Sequence, residues 1–162
     1  MRVLVALFGT DEQAVLRASE RLGEALAPLL ASGAVGGLDL PSRFLPSAAT
    51  QDGRRAALPD AAALETRLAE AATGLPFRPN AFAAFAAGVN ESRALPPLTS
   101  AALGTAPVLA ARLAPLLGRR GDGWQGLAMP GEVLSRDRAK QLSARGVCEA
   151  VITVNGKNHK VF

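Results

Sequence analysis

Seven prolines interrupt the segment from Leu40 to Leu98, and they constrain this chain more than any other feature of its sequence. They lie at positions 41, 46, 59, 76, 79, 96 and 97. A proline in a helix interior lacks the N–H that the helix needs and clashes with the preceding turn, so helices begin or end near it. Apolar residues recur at helical spacing between these prolines. The segment is therefore predicted to form several short helices.

Two of these predicted helices carry an apolar stripe. One stripe consists of Leu64, Leu68, Ala71 and Leu75, and the other of Phe82, Phe85, Ala86 and Val89. Helices of this length are marginal alone in water and are stabilised mainly by packing an apolar face. We therefore expect them to pack on the rest of the chain. We also predict that residues 47–117 are almost wholly helical and contain no strand.

The rest of the chain contains the predicted sheet. Its strands are expected at Arg2–Phe8, Ala34–Leu40, Trp124–Met129 and Val147–Val154. A helix capped by Thr10 is predicted after the first strand, and another at Ser135–Arg145. The order β-α-β, helical block, β-α-β is typical of an α+β, ferredoxin-like fold with a large helical insertion. In that fold the first strand lies between the third and the fourth.

The length of 162 residues predicts a single domain. We expect its first βαβ half at residues 1–40, the helical insertion at 41–117 and the second half at 118–154. Asn155-Gly156 is typical of a hairpin turn, so residues 155–162 are expected to form a further strand or a non-native tail. The tail is an alternative because every Lys, and the only Cys, Ile and His, lie in the last 23 residues.

Composition excludes several classes of function. The net charge is +4, with nine Arg plus Lys against four acids in residues 101–162, but aromatic residues do not alternate with these basic residues. We therefore expect no nucleic-acid partner. One cysteine allows no internal disulfide and no zinc cluster, so neither a metal nor a cofactor is expected. We find no apolar run of about 18 residues and no signal peptide.

The chain is not expected to be an enzyme. His159 is the only histidine, and its sequence neighbours supply no paired nucleophile or carboxylate. Cys148 alternates with apolar residues, which favours a small core side chain over a nucleophile. Glu65 and Glu70 are five residues apart on a predicted helix and do not share a face, so they are not an acid/base pair.

The proline-rich segment also resembles a known family. The pieces LPSRFLPSAATQDGRRAALPD, GLPFRPNAFAAF and ALPPLT occur in this order. Their order is similar to the periplasmic region of MMPL-type predicted exporters of the RND superfamily, over residues 2–132. The resemblance implies a periplasmic porter-type domain within an inner-membrane protein, with the remainder of the transporter as partner. It further implies export of fatty-acyl, aryl-polyene or hopanoid-like lipids. The sequence departs from the family in residues 133–162, which are not expected to form a membrane helix.

The aromatic residues predict a binding site for such a lipid. Four of the six phenylalanines lie in the proline-rich segment, which has more apolar surface than a small sheet can cover. We predict that the insertion and the sheet enclose an apolar groove. Its expected lining residues are Phe44, Leu45, Phe77, Phe82, Phe85 and Val89. One alternative is that these residues only fill the core. Another is that the chain is a stand-alone lipid-carrier or protein-interaction domain, and a homo-oligomer is then possible.

Overall fold

A six-stranded antiparallel sheet forms around the first strand of the chain. The computed structural model describes residues 2–78, 80–131, 150–155 and 158–161. The strands are β1 Arg2–Gly9, β2 Leu38–Asp39, β3 Leu117–Arg120, β4 Gly123–Pro130, β5 Ala150–Asn155 and β6 Asn158–Val161. Their order is β2-β4-β1-β5-β6, and β3 also pairs with β4. The combination of this sheet with helices confirms the α+β class.

The pairing of β1 agrees with its predicted position. β1 is antiparallel to β4 on one side, where Val5 opposes Ala128, and to β5 on the other, where Val5 opposes Val151. β4 contains the third predicted strand, and β5 contains the described part of the fourth, residues 150–154. Val5 and Ala128 are fully buried, as expected for the centre of a sheet that a helix covers.

Most helices after α1 begin at a proline or within a few residues after one. They are α1 Glu12–Ala31, α2 Pro41–Phe44, α3 Ala48–Ala56, α4 Ala61–Ala72, α5 Ala83–Ala94 and α6 Pro107–Leu113, with a 3₁₀ helix at Ala101–Thr105. α2 and α6 begin at a proline, where the missing N–H would have had no helical partner. Between residues 47 and 116 the described part of the chain contains helices and turns but no strand. The prediction that this region contains no strand is thus confirmed except at Leu117, where β3 begins, whereas it is less helical than predicted because turns and loops separate the helices.

The predicted N-cap of α1 is wrong by one residue. Asp11, not Thr10, caps the helix, because its Oδ1 accepts a hydrogen bond of 2.7 Å from the N–H of Ala14. A carboxylate at this position also interacts favourably with the helix dipole. Gly33 follows the end of α1, where it adopts a φ of 72° and donates its N–H to the carbonyl of Leu30.

Two predicted strand boundaries are also wrong. The strand expected at Ala34–Leu40 is reduced to Leu38–Asp39, because its first residues form bends and turns around Gly36 and Gly37. The strand expected at Trp124–Met129 extends by one residue at each end, to Gly123–Pro130, and a short turn before it closes a hairpin. Arg119 and Arg120 belong to β3, which pairs with β4 across a turn that contains Gly121 at a φ of 57°.

α1 covers one face of the sheet and forms the core with it. Val15, Leu16, Leu22 and Leu26 of α1 are fully buried. They belong to a cluster with Val5 and Leu7 of β1, Leu45 after α2, and Leu103 and Leu113 from the chain that follows the proline-rich segment. The buried residues of α1 recur at helical spacing, so they form one apolar stripe that packs against the sheet.

The residue contacts divide the chain into two compact units, although a single domain was predicted. One unit comprises residues 1–47 and 98–162 and is called the sheet unit here; the other is Ala48–Pro97, the helical unit. The helical unit is smaller than the predicted insertion of residues 41–117. The reason is that Leu45, Leu103 and Leu113 supply core side chains to the sheet unit.

The end of the chain is described in part. β6 pairs with β5 in register Asn155 to Asn158, so the predicted return strand after Asn155 is present. The predicted helix at Ser135–Arg145 and Cys148 lie outside the described residues, as do residues 147–149 of the fourth predicted strand. Within the ranges that the structure describes, none of the helices combines the length and the apolar character needed to cross a bilayer.

Candidate functional site

A cleft of about 520 Å³ lies within the helical unit. It is bordered by α4, by the loop after α4 and by the beginning of α5. The apolar residues that line it are Leu68, Ala69, Ala72, Phe77, Ala81, Phe82, Ala83 and Ala86, and the polar ones are Glu65, Arg78 and Asn80. This volume is within the range of about 300–1,000 Å³ that is typical of small-molecule sites, which are mostly apolar with a few polar groups.

The α4 side of the cleft follows from helical spacing. Glu65, Leu68, Ala69 and Ala72 are three, four and seven residues apart and therefore share one face. Asp60 starts this helix by accepting a hydrogen bond of 2.8 Å from the N–H of Ala63. The small alanines on this face leave room for a ligand, and Leu68 supplies most of the apolar surface.

The loop after α4 is fixed by local hydrogen bonds. Gly74 leaves the helix with a φ of 76°, and the N–H of Leu75 donates to the carbonyl of Ala72. A tight turn then forms, in which the N–H of Phe77 donates to Leu75 at 2.8 Å. Asn80 adopts a φ of 62°, a conformation that asparagine tolerates better than most residues. These turns place the side chains of the loop at the cleft.

Two aromatic rings form one wall of the cleft. The rings of Phe77 and Phe82 are 5.0 Å apart with an interplanar angle of 65°, an edge-to-face arrangement. Phe82 is half-buried, whereas 53% of Phe77 remains exposed. The contact between the two rings therefore stabilises their positions, while the exposed part of Phe77 remains accessible to a ligand.

The cleft contains two of the six predicted site residues, Phe77 and Phe82. Phe85 and Val89 belong to α5 but do not line the cleft, and 58% of Phe85 is exposed. Phe44 and Leu45 belong to the sheet unit: Leu45 is fully buried and Phe44 packs against the same core. The cleft thus brings together two of the six predicted lining residues, and Leu45 is corrected to a core residue because its side chain is fully buried. No sequence pattern indicates that the short helix α2 joins the sheet core.

Sequence reasoning missed the polar residues of the cleft. Arg78 lies between two prolines and had no pattern to distinguish it, and Glu65 was considered only as an acid/base partner. Glu65 could have been found from its spacing to Leu68 and Ala72 on one helical face. Both side chains are exposed, and with the other described residues neither forms a hydrogen bond or an ion pair. The cleft thus presents one positive and one negative side chain, neither of which has a partner among the described residues.

The described residues contain no group of three or more His, Cys, Asp and Glu side chains arranged to hold a metal ion. Comparison of the sequence and the fold with protein-family models, curated proteins and solved structures gives no significant match.

Proposed function

We propose that the cleft of the helical unit binds an apolar chain, and that this protein is the periplasmic porter-type domain of an RND/MMPL-type lipid exporter. The substrate would be a fatty-acyl, aryl-polyene or hopanoid-like lipid. The observation that carries the proposal is a cleft of about 520 Å³ with a mostly apolar lining, in which Phe77 is 53% exposed. Exposed apolar surface of this kind marks ligand or partner sites.

The energetics of the helical unit favour an apolar ligand. Leu75, Phe77, Phe85 and Leu95 are each more than half exposed, whereas only Leu64 and Ala86 are buried among the described apolar residues of this unit. Covering a large apolar side chain contributes about 1.5–3 kcal/mol. A chain-like ligand lying against Phe77 and Leu68 would therefore gain binding energy from surface that the protein leaves uncovered.

The topology supports the porter-type part of the proposal. β1 pairs with β4 and β5, and β2 pairs with β4, an arrangement that supports the ferredoxin-like sheet proposed here. The helical unit falls between β2 and β3 in the chain and is proposed to be the large insertion. In this role the chain binds or passes the lipid, and energy coupling belongs to the membrane-spanning remainder of the transporter. No bond is made or broken, so the role is not enzymatic.

Binding of a fluorescent long-chain fatty acid to the purified chain tests the ligand. Phe77→Asp is expected to weaken binding at least tenfold, because it places a charge in the apolar cleft. Phe85→Asp is the matched control, since Phe85 is equally exposed but outside the lining. Equal effects of the two substitutions, with both variants folded by circular dichroism, would contradict a site in the cleft. Absence of binding to the unmodified chain would overturn the function itself.

The transporter context is tested separately by reading the coding sequence on both sides of this chain. Membrane-spanning segments there are expected if the chain is a porter-type domain. Their absence, combined with lipid binding, would favour the alternative of a stand-alone lipid carrier. If neither membrane-spanning segments nor lipid binding is found, a protein-interaction domain remains. Sedimentation analysis would detect the interaction if the partner is a second copy of this chain.

A further inference from the structure

We propose that the cleft binds a single-chain fatty acid in one orientation, with its carboxylate at Arg78 and its hydrocarbon tail along α4 toward Glu65. This inference rests on the proposed lipid binding and adds the head group and the direction of the ligand. It follows from the positions of the two charged residues in a lining that is otherwise apolar or amide.

Arg78 is the residue that binds the carboxylate head group. It contributes to the lining, its side chain is exposed, and it forms no ion pair with the described residues. A guanidinium binds a carboxylate through two parallel hydrogen bonds, a geometry that a lysine ammonium does not offer. The guanidinium at the cleft is therefore available to a ligand anion without first breaking a described ion pair.

Glu65 determines the direction in which the fatty acid lies along α4. It lies seven residues before Ala72 on the shared face of α4, which corresponds to about 10 Å along the helix. Arg78 instead belongs to the loop that follows the C-terminal end of α4. A ligand carboxylate is attracted toward Arg78 and repelled by Glu65. From Glu65 to the C-terminal end of α4, the lining face consists of Leu68, Ala69 and Ala72, which suits the hydrocarbon tail.

The size and charge of the cleft favour one acyl chain with a carboxylate. A volume of about 520 Å³ suits one small molecule better than a lipid with two acyl chains. The single guanidinium matches the single charge of a carboxylate. A phosphate monoester carries about 1.5 to 2 negative charges at pH 7 and would leave part of its charge unpaired near Glu65.

The test compares a fluorescent fatty acid with its methyl ester, each titrated into the full chain. Arg78→Gln is expected to raise the dissociation constant of the acid roughly tenfold and to leave that of the ester unchanged. Glu65→Gln is expected to tighten the binding of the acid about two- to threefold, since it removes a repulsive charge. Arg67→Gln is the control, because Arg67 is exposed on α4 but does not line the cleft.

The outcomes separate this inference from the proposed function. If acid and ester bind equally and Arg78→Gln changes neither, the carboxylate assignment is wrong, although Phe77→Asp still tests lipid binding independently. If Glu65→Gln weakens the acid, the orientation is wrong. A single-chain lysophosphate lipid that competes better than the fatty acid would reassign the head group. If neither probe binds to the unmodified chain, both the inference and the proposed function fail.

Discussion

Two glutamates of α1 hold two serines in the same way. The carboxylate of Glu20 accepts hydrogen bonds from the N–H of Ser47 at 2.7 Å and from its hydroxyl at 2.8 Å. Glu12 accepts from the N–H of Ser100 at 3.1 Å and also from its hydroxyl. Ser47 is fully buried, so its polar atoms need these bonds. α1 therefore anchors residues 47 and 100, which belong to the sheet unit and lie just before and just after the helical unit in sequence.

Glu20→Gln is expected to lower the free energy of unfolding by about 1–3 kcal/mol. The substitution removes the negative charge, which weakens the bond from the N–H of Ser47, and the amide NH₂ must donate to the Ser47 hydroxyl oxygen where the carboxylate accepts from it. Urea denaturation measures the change. Glu24→Gln is the control on the same helix, because Glu24 is exposed, and it is expected to change stability by less than about 0.5 kcal/mol. Equal stability of the two variants would show that the Ser47 contact contributes nothing.

At the scale of elements, the close approach of α1 to the sheet depends on a glycine. A Cβ atom on Gly126 of β4 would lie 2.6 Å from Cγ1 of Val15, which is fully buried. Gly126 pairs with Leu7 of β1 and with Leu117 of β3, so β4 cannot move away without disturbing two neighbours. The absence of a side chain at this position therefore allows the helix to pack against the sheet.

Gly126→Ala is expected to destabilise the protein by about 1–3 kcal/mol through overpacking. Thermal unfolding followed by circular dichroism measures the loss. Gly118→Ala on β3 is the matched control, because a Cβ there meets no atom within 4 Å. That substitution is expected to be neutral or slightly stabilising, since alanine restricts the unfolded chain more than glycine does. A stability for Gly126→Ala as high as that of Gly118→Ala would refute the close contact.

At the scale of the whole molecule, the two units differ in how much apolar surface they bury. The described core belongs almost entirely to the sheet unit, and within residues 48–97 only Leu64 and Ala86 are buried apolar side chains among those described. Segments with few buried apolar contacts open locally at lower free energy than a core. A ligand that binds the closed form would raise the free energy of that opening.

Hydrogen exchange is expected to distinguish the units. Amides of α4 and α5 should exchange faster than those of β1 and α1, because their opening exposes less apolar surface. Addition of a long-chain fatty acid should slow exchange in α4 and α5 and leave β1 unchanged. Mass spectrometry of peptides from each element measures both effects. Equal protection of α5 and β1 without ligand would contradict the expected difference, and a uniform response would argue against binding in the helical unit.

The sequence by itself determined where most helices begin and end, and it indicated the strands β1, β4 and β5 but not β3. The prolines at 41, 46, 59 and 107 fix helix starts because the missing N–H acts locally. The apolar, β-branched run of the first strand and the hairpin signal at Asn155 are equally local. The α+β class and the central position of β1 therefore follow from the amino-acid pattern.

The tertiary structure alone decided which of the predicted site residues share a surface. Phe44 and Phe77 are similar residues in the same proline-rich segment, yet Phe44 packs in the sheet unit and Phe77 lines the cleft. Arg78 and Glu65 meet the same cleft only through the turns at Gly74 and Asn80. Turns and helix ends depend on residues that are neighbours in sequence, so the sequence predicts them well. Burial and proximity depend on contacts between residues far apart in sequence, which local patterns do not record.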